Sequence, residues 1–336
     1  MRFSSLLSTL LVPLAFAEAR AADVPVQVDM HLDTPSQLLG KHLGLDAPEG
    51  LEAGLSQLRE GGTNVPVMVL WPPPKSDHKA RTFALLAKVE AEATRLADVT
   101  IVRSPDEARR EVAAGRIAVL VSLEGAHGLG DGDDWAAVAG TLHDRGLSLL
   151  GLTWSFSNRF AGSSGDGGAG LTDEGRALVA EARRLGLVID VSHASRQTTM
   201  DACTGSPVPV IASHSNAFAV RAQPRNLTDE EIACIGATGG VIGLNFHATF
   251  VGPGATVAAV ADHADHIAKV AGRAAVGLGS DFDGYIKKPV GLEDEGDVGV
   301  LWEELRHRGW SEHDIAGVRG ENFMRAWTAV LAGAGR

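Results

Sequence analysis

Residues 187–215 read LVIDVSHASRQTTMDACTGSPVPVIASHS. Two apolar runs rich in Val and Ile, Leu187–His193 and Val208–Ser215, enclose Ser195–Cys203, a stretch that opens on a serine suited to cap a helix. Runs that stay apolar without alternation suit strands buried on both faces, as in a parallel sheet. A helix between two such strands is the crossover that a parallel pair requires. Each run closes on a histidine, His193 and His214. The stretch therefore predicts a β–α–β unit with one imidazole near the C-terminal tip of each strand.

The same alternation continues in both directions. Upstream lie Val26–Asp33, Asn64–Trp71, Ile117–Gly125 and Leu147–Trp154; downstream lie Gly240–Phe246 and Ala275–Phe282. Between them are helical patterns. His78–Ala97 spaces Phe83, Leu86, Val89 and Leu96 near the helical period, and Ser104-Pro105-Asp106-Glu107 is a helix start. Asp133–Arg145, Thr172–Leu185, Thr228–Thr238 and Val257–Ala271 follow. Eight strand–helix units predict the α/β class and a (β/α)8 TIM-type barrel. A doubly wound sheet would carry a Gly-x-Gly-x-x-Gly turn after its first strand, and none follows Asp33. Pro72–Pro74 and the Gly/Ser-rich Ala161–Gly170 read as loops at the catalytic rim, where loops act as lids.

Composition agrees. Of 336 residues, 45% are hydrophobic and 21% charged, enough to bury a large core. The 40 glycines show no Gly-X-Y period, so collagen is excluded. The net charge of −12 disfavours nucleic acid and anionic lipid surfaces as partners. Residues 1–21 combine Arg2, an apolar stretch Leu6–Ala17 and Ala19-Arg20-Ala21, the pattern of a secretory signal peptide. The expected division is a signal peptide over 1–21 and one barrel domain over 22–336. The expected location is secreted or periplasmic, with no stable membrane anchor. Cys203 and Cys234 are the two cysteines; they could pair, but spacing alone does not decide it.

The chemistry sits at the strand ends. The first run ends His31-Leu32-Asp33, with two side chains on one side of a strand, and the third in Glu124. The fifth, sixth and eighth supply His193, His214 and Asp281. Imidazoles and carboxylates converging on one barrel rim suit a divalent metal such as zinc.

HLD at 31–33, SLEGAH at 122–127, DVSHAS at 190–195, ASHSNA at 212–217, PRNLTDEE at 224–231 and GLGSDFDG at 277–284 resemble the membrane (renal-type) dipeptidases of the amidohydrolase superfamily. The likeness runs from about residue 24 to 332. It implies a metal-dependent hydrolase barrel that holds two zinc ions and cleaves dipeptides with a hydroxide held between the ions. By matching motif, His31 and Asp33 hold one ion, His193 and His214 the other, and Glu124 bridges them. Asp281 becomes the proton carrier, with a pure ligand or hydrogen-bond role as its alternative. Arg225 becomes the holder of the substrate carboxylate, with a surface ion pair as its alternative; Asn226 accompanies it or only positions its loop. A homodimer is also suggested.

One position departs from the pattern. Many family members carry a histidine at the end of the fourth strand, where this chain has Trp154. An indole offers a single N–H donor and no positive charge. It either takes over the hydrogen bond or changes substrate choice. Dipeptide hydrolysis is thus the first reading, a related amide or β-lactam substrate the second, and a non-catalytic metal- or peptide-binding homologue the third. Asp283 and Gly284 read as turn residues, and His127 as a supporting residue. His42 and His247 read as rim residues, and Trp71 and Phe246 as rim packing. His78, His143, His263, His266, His307 and His313 are placed on solvated faces.

Overall fold

The computed structural model of the protein describes residues 24–334. The signal peptide expected over 1–21 lies outside the described residues. Among the described residues there are nine strands: β1 (Val28–Leu32), β2 (Val65–Leu70), β3 (Val99–Ile101), β4 (Ile117–Leu123), β5 (Leu147–Gly151), β6 (Val188–Asp190), β7 (Val210–Ile211), β8 (Ile242–Leu244) and β9 (Val276–Leu278). Eight of them are the eight runs expected from the sequence. The ninth, β3, is a three-residue addition that pairs with β4 off the main path.

All pairings are parallel, in the order β1-β2-β4-β5-β6-β7 and then β8-β9. Two seams complete the circuit. Ala212 bridges Ile242 between β7 and β8, and Leu32 bridges Phe282 between β9 and β1. At the second seam Asp33 N donates to Phe282 O at 3.0 Å and Asp281 N donates to His31 O at 3.1 Å. Three site residues, His31, Asp33 and Asp281, are therefore part of barrel closure.

The half of the barrel from β6 to β9 has strands of only two or three residues. Side chains replace the missing ladder. Asp190 Oδ1 accepts Ser213 N at 2.9 Å across β6 and β7. Asn216 Nδ2 donates to Asn245 O at 2.8 Å across β7 and β8. Asn245 Nδ2 donates to Asp281 Oδ2 at 3.0 Å across β8 and β9. Asp29 Oδ1 accepts Ser280 N at 3.1 Å across β9 and β1.

The helices start where their caps are. Ser104, Thr172, Ser195 and Thr228 each accept a backbone N–H of the first turn, and Thr228 with Glu231 forms a full capping box. The C-terminal helix Asn322–Gly333 joins Phe323, Met324, Trp327 and Val330 to barrel residues such as Val28, Leu120 and Ile211 in one buried cluster. Each such side chain contributes about 1.5–3 kcal/mol. Cys203 and Cys234 form a disulfide, with Cα atoms 6.0 Å apart, linking helix Arg196–Cys203 to helix Asp229–Ala237. No described helix is long and apolar enough to cross a membrane.

His263 is not on a solvated face. It is fully buried, its Nδ1 accepting Ala217 N at 3.1 Å and its Nε2 lying 3.0 Å from Val251 O. It shares the inward stripe of helix Val257–Ala271 with Val260, Ala264 and Ile267, at spacings of three and four residues.

Candidate metal centre

Strand β1 carries an irregularity that aims its ligands. Asp29 pairs with Pro66 but Leu32 pairs with Met68, so three steps on β1 match two on β2. This bulge turns Asp29 towards Ser280, while His31 Nε2 comes within 3.7 Å of Glu124 Oε1 and 3.8 Å of Asp33 Oδ2. Glu124 follows β4 directly and is the hub. Its Oε1 is 2.9 Å from His193 Nε2 and 3.7 Å from His214 Nε2, and the two histidine Nε2 atoms are 3.0 Å apart. His31, Asp33 and Asp281 form a second group whose ligand atoms lie within 4.8 Å of one another. The structure thus brings together all six residues expected at the strand ends.

Two of them sit on unfavourable backbone. His193 has φ 65° and Asp281 φ 70°, left-handed conformations that cost a non-glycine residue about 1–2 kcal/mol. Each is held by its surroundings. The His193 carbonyl accepts from Ser164 N at 2.8 Å and Ser164 Oγ at 3.1 Å, beside the Ser163 hydroxyl, which donates to Trp154 O at 2.6 Å. These serines belong to the Gly/Ser-rich segment expected as a lid; here it clamps the backbone of a ligand. Gly284 also has a different reason from the one expected. Its φ is not left-handed, but a Cβ there would fall 2.7 Å from Asp33 Oδ2 and 2.8 Å from Asp281 Oδ1. It leaves room for the carboxylates. Asp283 does shape the turn, accepting from Thr34 Oγ1 at 2.7 Å and Glu52 N at 2.8 Å.

The charge state follows from burial. Burial, helped by the Arg225 charge, holds His31 down at about 3. Burial first, then Arg225 and neighbouring imidazoles, drives His193 and His214 well below the ordinary range. At neutral pH all three imidazoles are uncharged and offer a lone pair. Burial and mutual repulsion push Asp33 and Glu124 up, and burial carries Asp281 to about 7. His31 Nε2 and Asp33 Oδ1 are buried with no hydrogen-bond partner. Neutral imidazoles, crowded carboxylates and orphaned acceptors facing one point are a donor set that fits divalent metal ions.

A cavity of about 240 Å³ opens over this cluster, lined by Asp33, Trp71, Glu124, Trp154, His193 and Asp281, with His247 and Tyr285 at its edge. Trp154 is therefore at the site, its ring centroid 5.1 Å from that of Trp71. Trp71, expected as packing, is also a wall residue, and its buried indole N–H has no partner. Phe246 does pack, fully buried against Phe282. His42 is exposed and away from the cavity. His127 is buried, its Nε2 3.0 Å from Pro72 O, and is not a wall residue.

Arg225 donates to His214 O at 3.0 Å and Ser215 Oγ at 3.1 Å, lies over the Phe250 ring, and keeps its Nε unpartnered. Asn226 points elsewhere. Its amide donates to Arg221 O at 2.8 Å and Phe250 O at 2.9 Å, so it fixes the loop that carries Arg225. Asn245, Asp190 and Ser213 escaped the sequence reading although all three stand at strand ends.

This barrel with a His/Asp/Glu cluster at its C-terminal rim defines a metal-dependent hydrolase of the amidohydrolase type. A model of the membrane dipeptidase family, peptidase family M19, matches residues 15–334, and the chain belongs to that family. A metallopeptidase from Rhodobacter sphaeroides, solved with a phosphinate mimic of the dipeptide L-Ala-D-Ala, is similar at TM-score 0.83 and 27% identity, over 92% of this chain and 100% of that one. The dipeptidase AC, also of family M19, is similar at TM-score 0.82 and 27% identity, over 91% of this chain and 100% of that one. An amidohydrolase from Pseudomonas aeruginosa shares the fold at TM-score 0.80 and 22% identity, over 92% of this chain and 97% of that one. The protein is a metal-dependent dipeptidase.

Proposed function

We propose that the protein is a two-zinc dipeptidase of a secreted or periplasmic compartment. The observation that carries the site reading is the contact of Glu124 Oε1 with imidazole nitrogens from three strands. His31 and Asp33 would hold one ion, His193 and His214 the other, and Glu124 both. Bound there, such ions acidify a water and polarise a carbonyl.

The chain's own groups do the rest. Asp281, beside His31 and Asp33 at the cavity wall, can take a proton and return it to the leaving amine. Asn245 holds its Oδ2 and fixes its orientation. Arg225 has unused N–H donors for the free carboxylate of a short substrate. The small cavity limits the length of what fits. The Cys203–Cys234 disulfide supports the oxidising compartment.

The test is Asp281→Asn assayed on a dipeptide panel that includes D-residues and a β-lactam, with metal counted in the same samples. Two zinc ions per chain and loss of most activity are expected. Full activity would refute the proton-carrier role. Wild-type turnover of the β-lactam or another amide, but of no dipeptide, would favour the second substrate class that Trp154 suggests.

A further inference from the structure

Ser213 is fully buried just beyond β7, and four groups surround its hydroxyl. Its Oγ donates to Asp190 Oδ2 at 2.6 Å. His214 Nδ1 lies 2.8 Å away and His31 Nδ1 3.2 Å away. Ser192 Oγ, at 3.3 Å, is the longest contact and itself accepts His214 N at 3.1 Å. A serine hydroxyl has one proton and two lone pairs. The proton goes to Asp190, whose other oxygen already accepts Ser192 N and Ser213 N at 2.9 Å each. The lone pairs then face two imidazole nitrogens, and both must arrive as N–H. Each ring is left with its bare nitrogen at Nε2, the atom directed at Glu124.

We infer that Ser213, held by Asp190, is a positioning residue that fixes the tautomer of one histidine in each half of the metal centre, so that a single hydroxyl links the affinities of both ions. This rests on the two-ion reading above. The third imidazole does not reach Ser213 and meets the pair through its Nε2, 3.0 Å from His214 Nε2. His193 Nδ1 lies 3.2 Å from Ser155 Oγ and has no contact with Ser213. Hydrogen bonds to the far nitrogen of a metal-binding histidine commonly set 10–100-fold of metal affinity.

The experiment titrates zinc into metal-stripped full-length protein against a competing chelator. Wild type should bind two ions. Ser213→Ala should weaken both by about 10–100-fold, whereas Ser155→Ala should weaken one. Wild type holding one ion would refute the two-ion reading. Wild type holding two, with Ser213→Ala weakening one or neither, would overturn the inference alone.

Nitrogen NMR of the histidine rings gives a second readout that needs no variant. Metal-free wild type should show His31 and His214 both protonated at Nδ1, and Nε2–H on either ring would overturn the hub. Asp190→Asn supplies the converse. Its amide must donate to Ser213, so the hydroxyl proton turns to one ring and moves that ring to the Nε2–H form. Two unchanged Nδ1–H rings in that variant would also overturn it.

Discussion

Glu295→Gln should make the protein more stable, and increasingly so as pH rises from 5 to 7. Asp29 on β1 and Glu295 are both fully buried and close enough for the Asp29 charge to raise the affinity of Glu295 for a proton, while Glu295 Oε2 has no hydrogen-bond donor. Thr63 Oγ1 donates to Glu295 Oε1, and Asp29 accepts backbone N–H groups of His31 and Ser280. Burial pushes Asp29 up to about 6, and burial with the Asp29 charge pushes Glu295 well up. Raised carboxyl groups stabilise the fold fully below their unfolded values near 4, and that stability is lost as pH climbs through the folded values. Each pH unit over which the folded chain keeps a proton that the unfolded chain has released costs about 1.4 kcal/mol. From the ordinary 3.8 to about 6, the Asp29 shift alone accounts for ~3 kcal/mol, and the rise of Glu295 adds in the same direction. Glutamine keeps an acceptor for Thr63 and an N–H for Asp29 but does not titrate. Urea unfolding of both proteins at pH 5, 6, 7 and 8 reads the difference, and titrating groups away from the Asp29–Glu295 pair cancel between them. Parallel profiles would refute the reasoning.

Three further outcomes follow from the site and its supports. Replacing both Cys203 and Cys234 by serine opens a loop of 31 residues and should cost about 2–4 kcal/mol in denaturant unfolding. Gly284→Ala should push the Asp33 and Asp281 carboxylates apart and weaken metal binding roughly tenfold or more by chelator competition, and its clash with the Asp281 carbonyl should also lower the melting temperature of the metal-free protein. Trp154→His should raise dipeptide kcat, by up to the ~3 kcal/mol a well-placed oxyanion donor supplies; an unchanged or lower rate would show that the indole already does that work.

The barrel strands were legible because buried parallel strands are long apolar runs, and the ligands because they close those runs. The supports were less so. The bulge in β1 leaves no mark in VQVDMHLD, yet it lets Asp29 and His31 serve different neighbours. Glu295 and Asp29 are far apart in sequence and meet only in the fold. Ser213 and Asp190 are ordinary residues until the imidazoles of His31 and His214 arrive beside them. His263 was a readable miss: the period of its helix places it inside, but its residue type suggested solvent. Gly284 looked like a turn residue because sequence shows a missing side chain without showing what occupies its space.

The short strands from β6 to β9 have a consequence for how this molecule can change over generations. Asp190, Ser213, Asn216, Asn245, Ser280 and Asp281 act as staves and rivets of the same cask: they keep the hoop closed, and Ser213 against His31 and His214 and Asn245 against Asp281 also hold the reacting groups. Selection cannot retune this side of the site without loosening the wall. The opposite side, where β2, β4 and β5 are strands of five to seven residues, can exchange rim side chains such as Trp71 and Trp154 at little structural cost. Substrate range should therefore drift on one half of the mouth while the other half stays fixed.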